Sequence, residues 1–188
     1  MTRPSTLLLV IFLSQFACGG ESNPAVRKEV SGAMRFALAS PSFQEGQPIP
    51  VRHTCDGPDL SPALQWGAPP QGTRGFALIC DDPDAPVGTW VHWVIFNIPA
   101  TATGLAEAVP KTAELPDGSL QGTNDFRRVG YGGPCPPPGP AHRYFFKLYA
   151  LSKALALPSG ATKADVLRAM EGSVLATAQL MGRYGRKM

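Results

Sequence analysis

Short apolar runs, each closed by turn-forming residues, recur along most of the chain: Arg35 to Ala39, Ile49 to His53, Ala63 to Trp66, Gly75 to Cys80, Trp90 to Ile98 and His142 to Leu151. Between them stand Asp56-Gly57-Pro58, Ala68-Pro69-Pro70 with Gly72, Asp117-Gly118 and the dense stretch from Gly130 to Pro140. Short runs with this punctuation predict β-strands rather than helices. The segment Trp90 to Ile98 is apolar at both alternations of a pleated strand, and Arg143 to Leu151 is rich in aromatic residues. Neither contains proline, so both are predicted to be central strands covered on two sides.

Helical periodicity enters only near the C-terminus. Thr162 stands three residues before Asp165 and ahead of Val166, Leu167 and Met170, the spacing of a capping box at a helix start. After Gly172, the residues Val174, Leu175, Ala178 and Met181 fall on one face of a second helix, which Gly182 or Gly185 would end. The pattern as a whole predicts a mostly β chain: an antiparallel two-sheet β-sandwich with one or two peripheral C-terminal helices.

The first part of the chain follows different rules. Arg3 supplies positive charge, Leu7 to Leu13 is uninterrupted apolar sequence, and small residues begin at Ala17, the layout of an export signal. Residues 1–17 are therefore read as a signal peptide, 18–33 as a flexible tether of Gly, Ser, Asn and charged residues, and 34–188 as one folded domain. The apolar run falls well short of the roughly 20 residues that span a bilayer. Cys18, followed by Gly19 and Gly20, has the setting of a lipoprotein cleavage site, although Gln15 stands where such signals usually carry Leu. Lipidation of Cys18 would hold the protein at a membrane surface; ordinary secretion is the alternative. Either way the expected location is outside the cytoplasm, periplasmic or as a membrane-anchored lipoprotein.

An oxidising compartment makes the remaining cysteines candidates for pairing. Cys80 ends an apolar run and reads as a small buried hydrophobe, whereas Cys55 and Cys135 lie in Gly/Pro-rich loops, so a Cys55–Cys135 disulfide is expected. The 188 residues suffice for one domain with its own core. Only 16% of them are charged, Gly and Pro number 20 each, and the net charge is +3. The basic residues are scattered apart from Arg183, Arg186 and Lys187, which argues against nucleic acid as a partner.

Four segments carry candidate chemistry. Asp81-Asp82-Pro83-Asp84-Ala85-Pro86 gathers three carboxylates in a proline-stiffened turn, which suits a binding site, a calcium loop or simply a solvated turn. His92 lies on the first central strand, where period-two alternation turns Val91 and Trp93 to the opposite face; a lone core histidine of this kind is commonly structural. His142 and Tyr144 share one face of the second central strand. Two imidazoles near carboxylates can donate to an oxyanion, the acids keeping them protonated near neutral pH. The glycines of Gly130-Tyr131-Gly132-Gly133-Pro134-Cys135-Pro136-Pro137 could cradle a phosphate through backbone N–H groups, but no lysine or helix start accompanies them, and a plain surface loop has the same look. His53, His92 and His142 are far apart in sequence with no ligand-spaced pair, so no metal site is predicted.

Taken in order, Asp82-Pro83-Asp84-Ala85-Pro86, His92-Trp93 with Asn97-Ile98-Pro99, Gly122-Thr123-Asn124-Asp125-Phe126, Gly130 to Pro137 and His142-Arg143-Tyr144 resemble the phosphatidylethanolamine-binding family, which includes the Raf kinase inhibitor proteins, in its bacterial branch. The resemblance covers about residues 35 to 184. It implies a sandwich with a pocket for phosphate-like anions at one end, partly closed by the C-terminal helical region. Asp82 and Asp84 would be its acids, His92 and His142 its imidazoles, Tyr144 its phenol, and Gly133 would line the loop. It also makes Ala85–Pro86 a candidate cis bond. Bacterial relatives commonly carry Gly where Arg127 stands; a positive φ there would strain an arginine, and Arg127 and Arg128 could add cations at the pocket mouth.

The function expected from these readings is binding of a small anionic ligand or a phospholipid headgroup, without catalysis and without a cofactor. One alternative is inhibition of a protein target such as a protease or another envelope protein. A third reading is hydrolysis by Cys135 as nucleophile and His142 as base, oriented by Asp82 or Asp84.

Overall fold

The computed structural model describes residues 36–186; the signal segment, Cys18 and the tether lie outside the described residues. Strands β1 (Leu38–Ala39), β2 (Leu64–Trp66) and β5 (Gly104–Leu105) form a small antiparallel sheet in the order β1-β2-β5. Strands β3 (Gly75–Asp82), β4 (Trp90–Pro99), β6 (Leu120–Gln121), β7 (His142–Leu151) and β8 (Val174–Tyr184) form a larger one in the order β6-β4-β3-β7-β8, also antiparallel. The two predicted central strands, β4 and β7, flank β3; β4 is buried on both faces, as its two-sided apolar sequence demands, whereas β7 is buried on one face and largely half-buried on the other, where Arg143, Phe145, Lys147 and Tyr149 lie.

Period-two alternation sorts the large sheet's side chains between two cores. Phe76, Leu78 and Cys80 of β3, with Tyr144, Phe146 and Leu148 of β7, meet Leu38, Leu64, Trp66 and Leu105 of the small sheet. On the other face Ala77 and Ile79 pack with Val94, Phe96, Leu155, Val166 and Met170, under helix α1 (Lys163–Met170). Some polar groups buried in these layers are satisfied within them: Trp93 Nε1 donates to Gln121 Oε1 at 2.8 Å, and Gln121 Nε2 in turn donates to the carbonyls of Pro110 and Thr112. The helix begins as its sequence predicts, with Thr162 and Asp165 exchanging side chain to backbone hydrogen bonds in a capping box.

The second predicted helix is a strand. Val174 to Tyr184 pairs along almost the whole length of β7. The same residues that lie on one helical face also contain an alternation, Ala178, Leu180 and Gly182 buried against Thr177, Gln179 and Arg183 exposed. Pairing with the otherwise open edge of β7 decides between the two periods, and that partner lies far away in sequence. The second half of β8 is in turn strapped on its outer edge by residues 46–49: Gly46 N–H donates to the Met181 carbonyl, Ile49 N–H to that of Arg183, and Arg183 N–H to that of Gln47. The apolar run Ile49 to His53, which sequence suggests as a strand, instead turns into a 3-10 helix at Val51–His53 behind Pro50, a residue with no N–H to give a ladder.

Candidate functional site

The site forms where β3 ends and where β4 and β7 begin. Asp82 is the last residue of β3, Trp90 the first of β4 and His142 the first of β7, so strand pairing alone brings these three segments together. Asp82, Ala85, Pro86, Val87, Trp90, His92, Phe126, Cys135, Pro136, Pro137, His142 and Tyr144 line a cavity of about 190 Å³. Of the residues expected at a site, Asp82, His92, His142 and Tyr144 share this cavity. Asp84 and Gly133 do not line it.

His92 reaches the cavity because the β3–β4 ladder slips there. Cys80 pairs with Trp93, whereas Asp81 pairs with Val91, so His92 is an extra residue bulged out of β4. A bulge re-aims side chains: Trp93 joins the core between the sheets together with Cys80 and Tyr144, and His92 points to that same face, its ring 5.1 Å from the ring of Tyr144 and 5.3 Å from that of Phe126. The simple alternation expected from sequence, with Trp93 opposite His92, fails at this point.

The hydrogen bonds fix how each imidazole is presented. His92 Nδ1 lies 2.6 Å from the Gly132 carbonyl, which makes Nδ1 the protonated nitrogen and leaves Nε2 for the cavity. His142 Nδ1 lies 2.8 Å from Asp82 Oδ2, again leaving Nε2. Burial holds the His92 pKa below the usual imidazole value, outweighing the Gly132 carbonyl and the fields of Asp82 and Asp125. The expectation that nearby acids keep both rings protonated is therefore wrong for His92: desolvation wins. Burial, reinforced by Asp82, raises the Tyr144 hydroxyl far above an ordinary phenol, so it remains a donor at any physiological pH. That hydroxyl stands next to the Asp82 carboxylate without forming a hydrogen bond of good geometry, and the indole N–H of Trp90 is buried with no hydrogen-bond partner among the described residues.

Asp84 has a different duty. Its carboxylate accepts from Arg143 through the backbone N–H and two guanidinium nitrogens, at 2.7 to 2.9 Å, and Arg143 holds its pKa down to about 2. Its own N–H donates to Asp82 Oδ1 at 2.8 Å, so it steadies the acid that does face the cavity. Gly133 is required for close packing rather than for the lining. A Cβ there would sit 2.4 Å from the His53 carbonyl oxygen and 2.6 Å from Asp59 Oδ1, the atom to which its N–H donates.

The other walls follow from the remaining motifs. Asn124 ties its own turn together, donating to the Gly130 carbonyl and accepting from Arg128 N–H, and so presents Phe126 edge-on to Trp90 at 5.4 Å. Arg127, within this turn, has φ of +58°, the left-handed region in which an arginine is strained. Its side chain lines a separate depression beside Thr162 and Lys163 rather than the cavity. Arg128 lies 5.4 Å over the Phe126 ring. The prolines among the described residues keep trans bonds, Ala85–Pro86 included.

Cys55 and Cys135 are joined by a disulfide that closes an 80-residue separation, worth about 4 kcal/mol in a chain-entropy account. Cys80 is a buried free thiol, pushed well above its usual pKa by desolvation. No group of three metal-ligating side chains occurs among the described residues. Trp90 and Phe126 were not anticipated as site residues, although Trp90 lies two residues before His92 and Phe126 ends a quoted motif.

Comparison with known proteins agrees with this architecture. The sequence profile of the phosphatidylethanolamine-binding protein family matches residues 39–185. A UPF0098 protein of Methanothermobacter thermautotrophicus is 56% identical over 149 residues, covering 79% of this chain and 98% of its own. One from Aquifex aeolicus is 51% identical over 158 residues, covering 83% and 92%. Among solved structures, E. coli YbcL, described as a member of the mammalian family, superposes with a TM-score of 0.76 at 36% identity over 81% of this chain and 99% of its own. A Chlamydia trachomatis homologue of phosphatidylethanolamine-binding protein gives 0.74 at 37% identity over 81% and 98%. The chain therefore belongs to the phosphatidylethanolamine-binding protein family.

Proposed function

We infer that this protein binds a small oxyanion, free phosphate or the phosphate of a phospholipid headgroup, in the cavity of Asp82, His92, His142 and Tyr144, and that it does so as an exported protein without catalysing a reaction. The observation that carries this reading is the convergence of four polar groups on one small cavity: Nε2 of two imidazoles whose Nδ1 atoms are already occupied, and two buried donors, Trp90 N–H, with no partner among the described residues, and Tyr144 O–H, with no well-formed hydrogen bond beside Asp82. A buried donor without an acceptor costs roughly 1–3 kcal/mol, which an oxyanion would offset. Cys135, the candidate nucleophile of the hydrolytic reading, is held in a disulfide, which removes the thiolate such chemistry needs. In this reading Cys18, lipidated or simply exported, delivers the domain to a membrane surface or to the space beside it.

Calorimetry with inorganic phosphate and with phosphoethanolamine near pH 6 tests it. Saturable binding that weakens about tenfold or more in His142→Ala, as expected for loss of a charged-ligand hydrogen bond, supports the assignment. Heats unchanged by both His92→Ala and His142→Ala overturn it.

A further inference from the structure

One wall of the cavity has few backbone hydrogen bonds and one covalent tie to a neighbouring loop. The segment Pro134-Cys135-Pro136-Pro137 contains three prolines, which have no N–H to donate, so its own contribution to backbone hydrogen bonding is one amide at most. Its backbone tie to the body of the protein is the Pro134 carbonyl, which accepts from Cys55 N–H at 3.1 Å. Pro134 and Pro136 are buried, Pro138 bridges to Arg186 just beyond them, and the one covalent tie is the disulfide between Cys135 and Cys55. Cys135, Pro136 and Pro137 all face the cavity.

The two ends of that disulfide differ. Cys55 sits in a braced turn: Thr54 Oγ1 donates to the Val51 carbonyl, Gly57 N–H donates to that of Thr54, and the adjacent Asp56 accepts from Tyr184 and Arg186. Before the wall, the chain is anchored at Gly132 and Gly133, whose N–H groups bond the His92 carbonyl and Asp59, and after it at Gly139, whose N–H bonds the Arg186 carbonyl. The five residues between, Pro134 to Pro138, are a stiff bridge fastened to a fixed post at Cys55. Both cysteines are exposed, so a reductant can reach the sulfurs.

We propose that the Cys55–Cys135 disulfide is a redox control on the anion pocket: oxidised, it holds the Pro134–Pro137 wall against the cavity; reduced, it frees the wall and weakens ligand binding while the sandwich persists. The chemistry is thiol–disulfide exchange with a dithiol donor. A donor thiolate attacks one of the two sulfurs, the displaced cysteine thiolate takes up a proton, and the second donor thiol resolves the mixed disulfide; two electrons pass, leaving Cys55 and Cys135 as thiols and the donor as a disulfide. A pocket assembled this way becomes competent only where disulfides form and persist, which couples ligand capture to the compartment.

This inference rests on the cavity being an anion site, and the test separates the two. Inorganic phosphate is titrated into the full chain oxidised, then after reduction with dithiothreitol, and into the double variant Cys55→Ser/Cys135→Ser, with far-ultraviolet circular dichroism recorded on each sample at the titration temperature. Oxidised protein that binds, with roughly fivefold to tenfold weaker affinity on both reduction and double substitution at unchanged dichroism, supports the control. Affinities equal within twofold in all three overturn it and leave the anion reading intact. Loss of binding together with loss of the β-sheet signal also overturns it, because the disulfide then serves the fold rather than the wall. Absence of binding by oxidised protein sinks the anion reading and this one with it.

Discussion

Asp81 and Asp82 are neighbours in sequence and both almost wholly buried, at 1% and 3% exposure, yet the pleat of β3 sends them to opposite faces of the large sheet and to opposite tasks. Asp81 points to the helix side, where Lys147 Nζ donates to both of its oxygens and Lys163, the first residue of α1, donates as well. Its charge is more than matched, and nothing about it is left for a ligand. Asp82 points to the cavity, where it receives His142 and the Asp84 N–H and stands beside the Tyr144 hydroxyl. The same residue type serves as a structural tie when surrounded by ammonium groups and as part of a site when surrounded by groups that can still turn outward. Burial alone does not separate the two; the completeness of the partner set does.

The largest effect should come from breaking the tie on the helix side. Asp81→Asn leaves two lysines facing an amide, and because both ammonium groups retain partial access to water the cost should be about 2–3 kcal/mol, below that of a fully buried pair. Thermal melting should read this as roughly 4–12 °C, with sulfate affinity unchanged within twofold. Asp82→Asn should show the reverse, a small loss of stability and an altered sulfate affinity. Equal melting losses for the two variants would erase the distinction between the faces.

Acid sharpens the same contrast. The folded-state pKa of His92 lies below its unfolded value of about 6.5, so the neutral ring contributes stability that is complete above that value and is lost as the pH falls below it toward the folded pKa. His53, also buried and lowered by desolvation, acts in the same direction. Anion binding has the opposite sign, since a bound dianion favours the protonated His92. Sulfate, whose charge is fixed over this range, should therefore bind several-fold more tightly at pH 5.5 than at pH 7.5 while urea unfolding shows a less stable protein. The affinity slope should shrink in His92→Gln and survive in Asp81→Asn; an affinity independent of pH would remove His92 from the site.

The smallest effect concerns Arg127. Its left-handed backbone favours glycine, so Arg127→Gly should raise stability by about 0.5–1 kcal/mol. Because its side chain lies beside Lys163 rather than in the cavity, sulfate affinity should stay within twofold. A larger drop in affinity would place this cation on the ligand's side of the sheet after all.

How much of this could be read from sequence depends on whether the deciding interaction is local. The strands β4 and β7 were legible because an apolar run without proline has few other places to go, and the helix start at Thr162 because a capping box is contained within four residues. The fate of Val174 to Tyr184 was not, since its residues satisfy a helical and a strand period and the choice is made by β7, distant in the chain. The meeting of Asp82, His92, His142 and Tyr144 followed from ordered motifs, but the route of His92 into the cavity did not: it needs a bulge whose only trace is a slip in register between two strands. Asp84 and Gly133 were placed on the ligand because they sit within the right motifs; Arg143 claims the first, and the close approach of residues 53–59 claims the second. The pairing of Cys55 with Cys135 was within reach because Cys80 belongs to an apolar run that buries it.

The strap formed by residues 46–49 bears on the solubility of the whole molecule. It seals only the second half of β8; from Val174 to Leu180 no strand covers the outer edge among the described residues, and this stretch carries no charged side chain. Such an edge invites neighbouring molecules to add strands, and what limits the invitation is the shortness of the open part. Gly182 makes room for the strap where it does seat: a methyl group there would lie 2.5 Å from the Ile49 side chain, so a substitution that pushed Ile49 away would expose more of this edge to the protein's own copies.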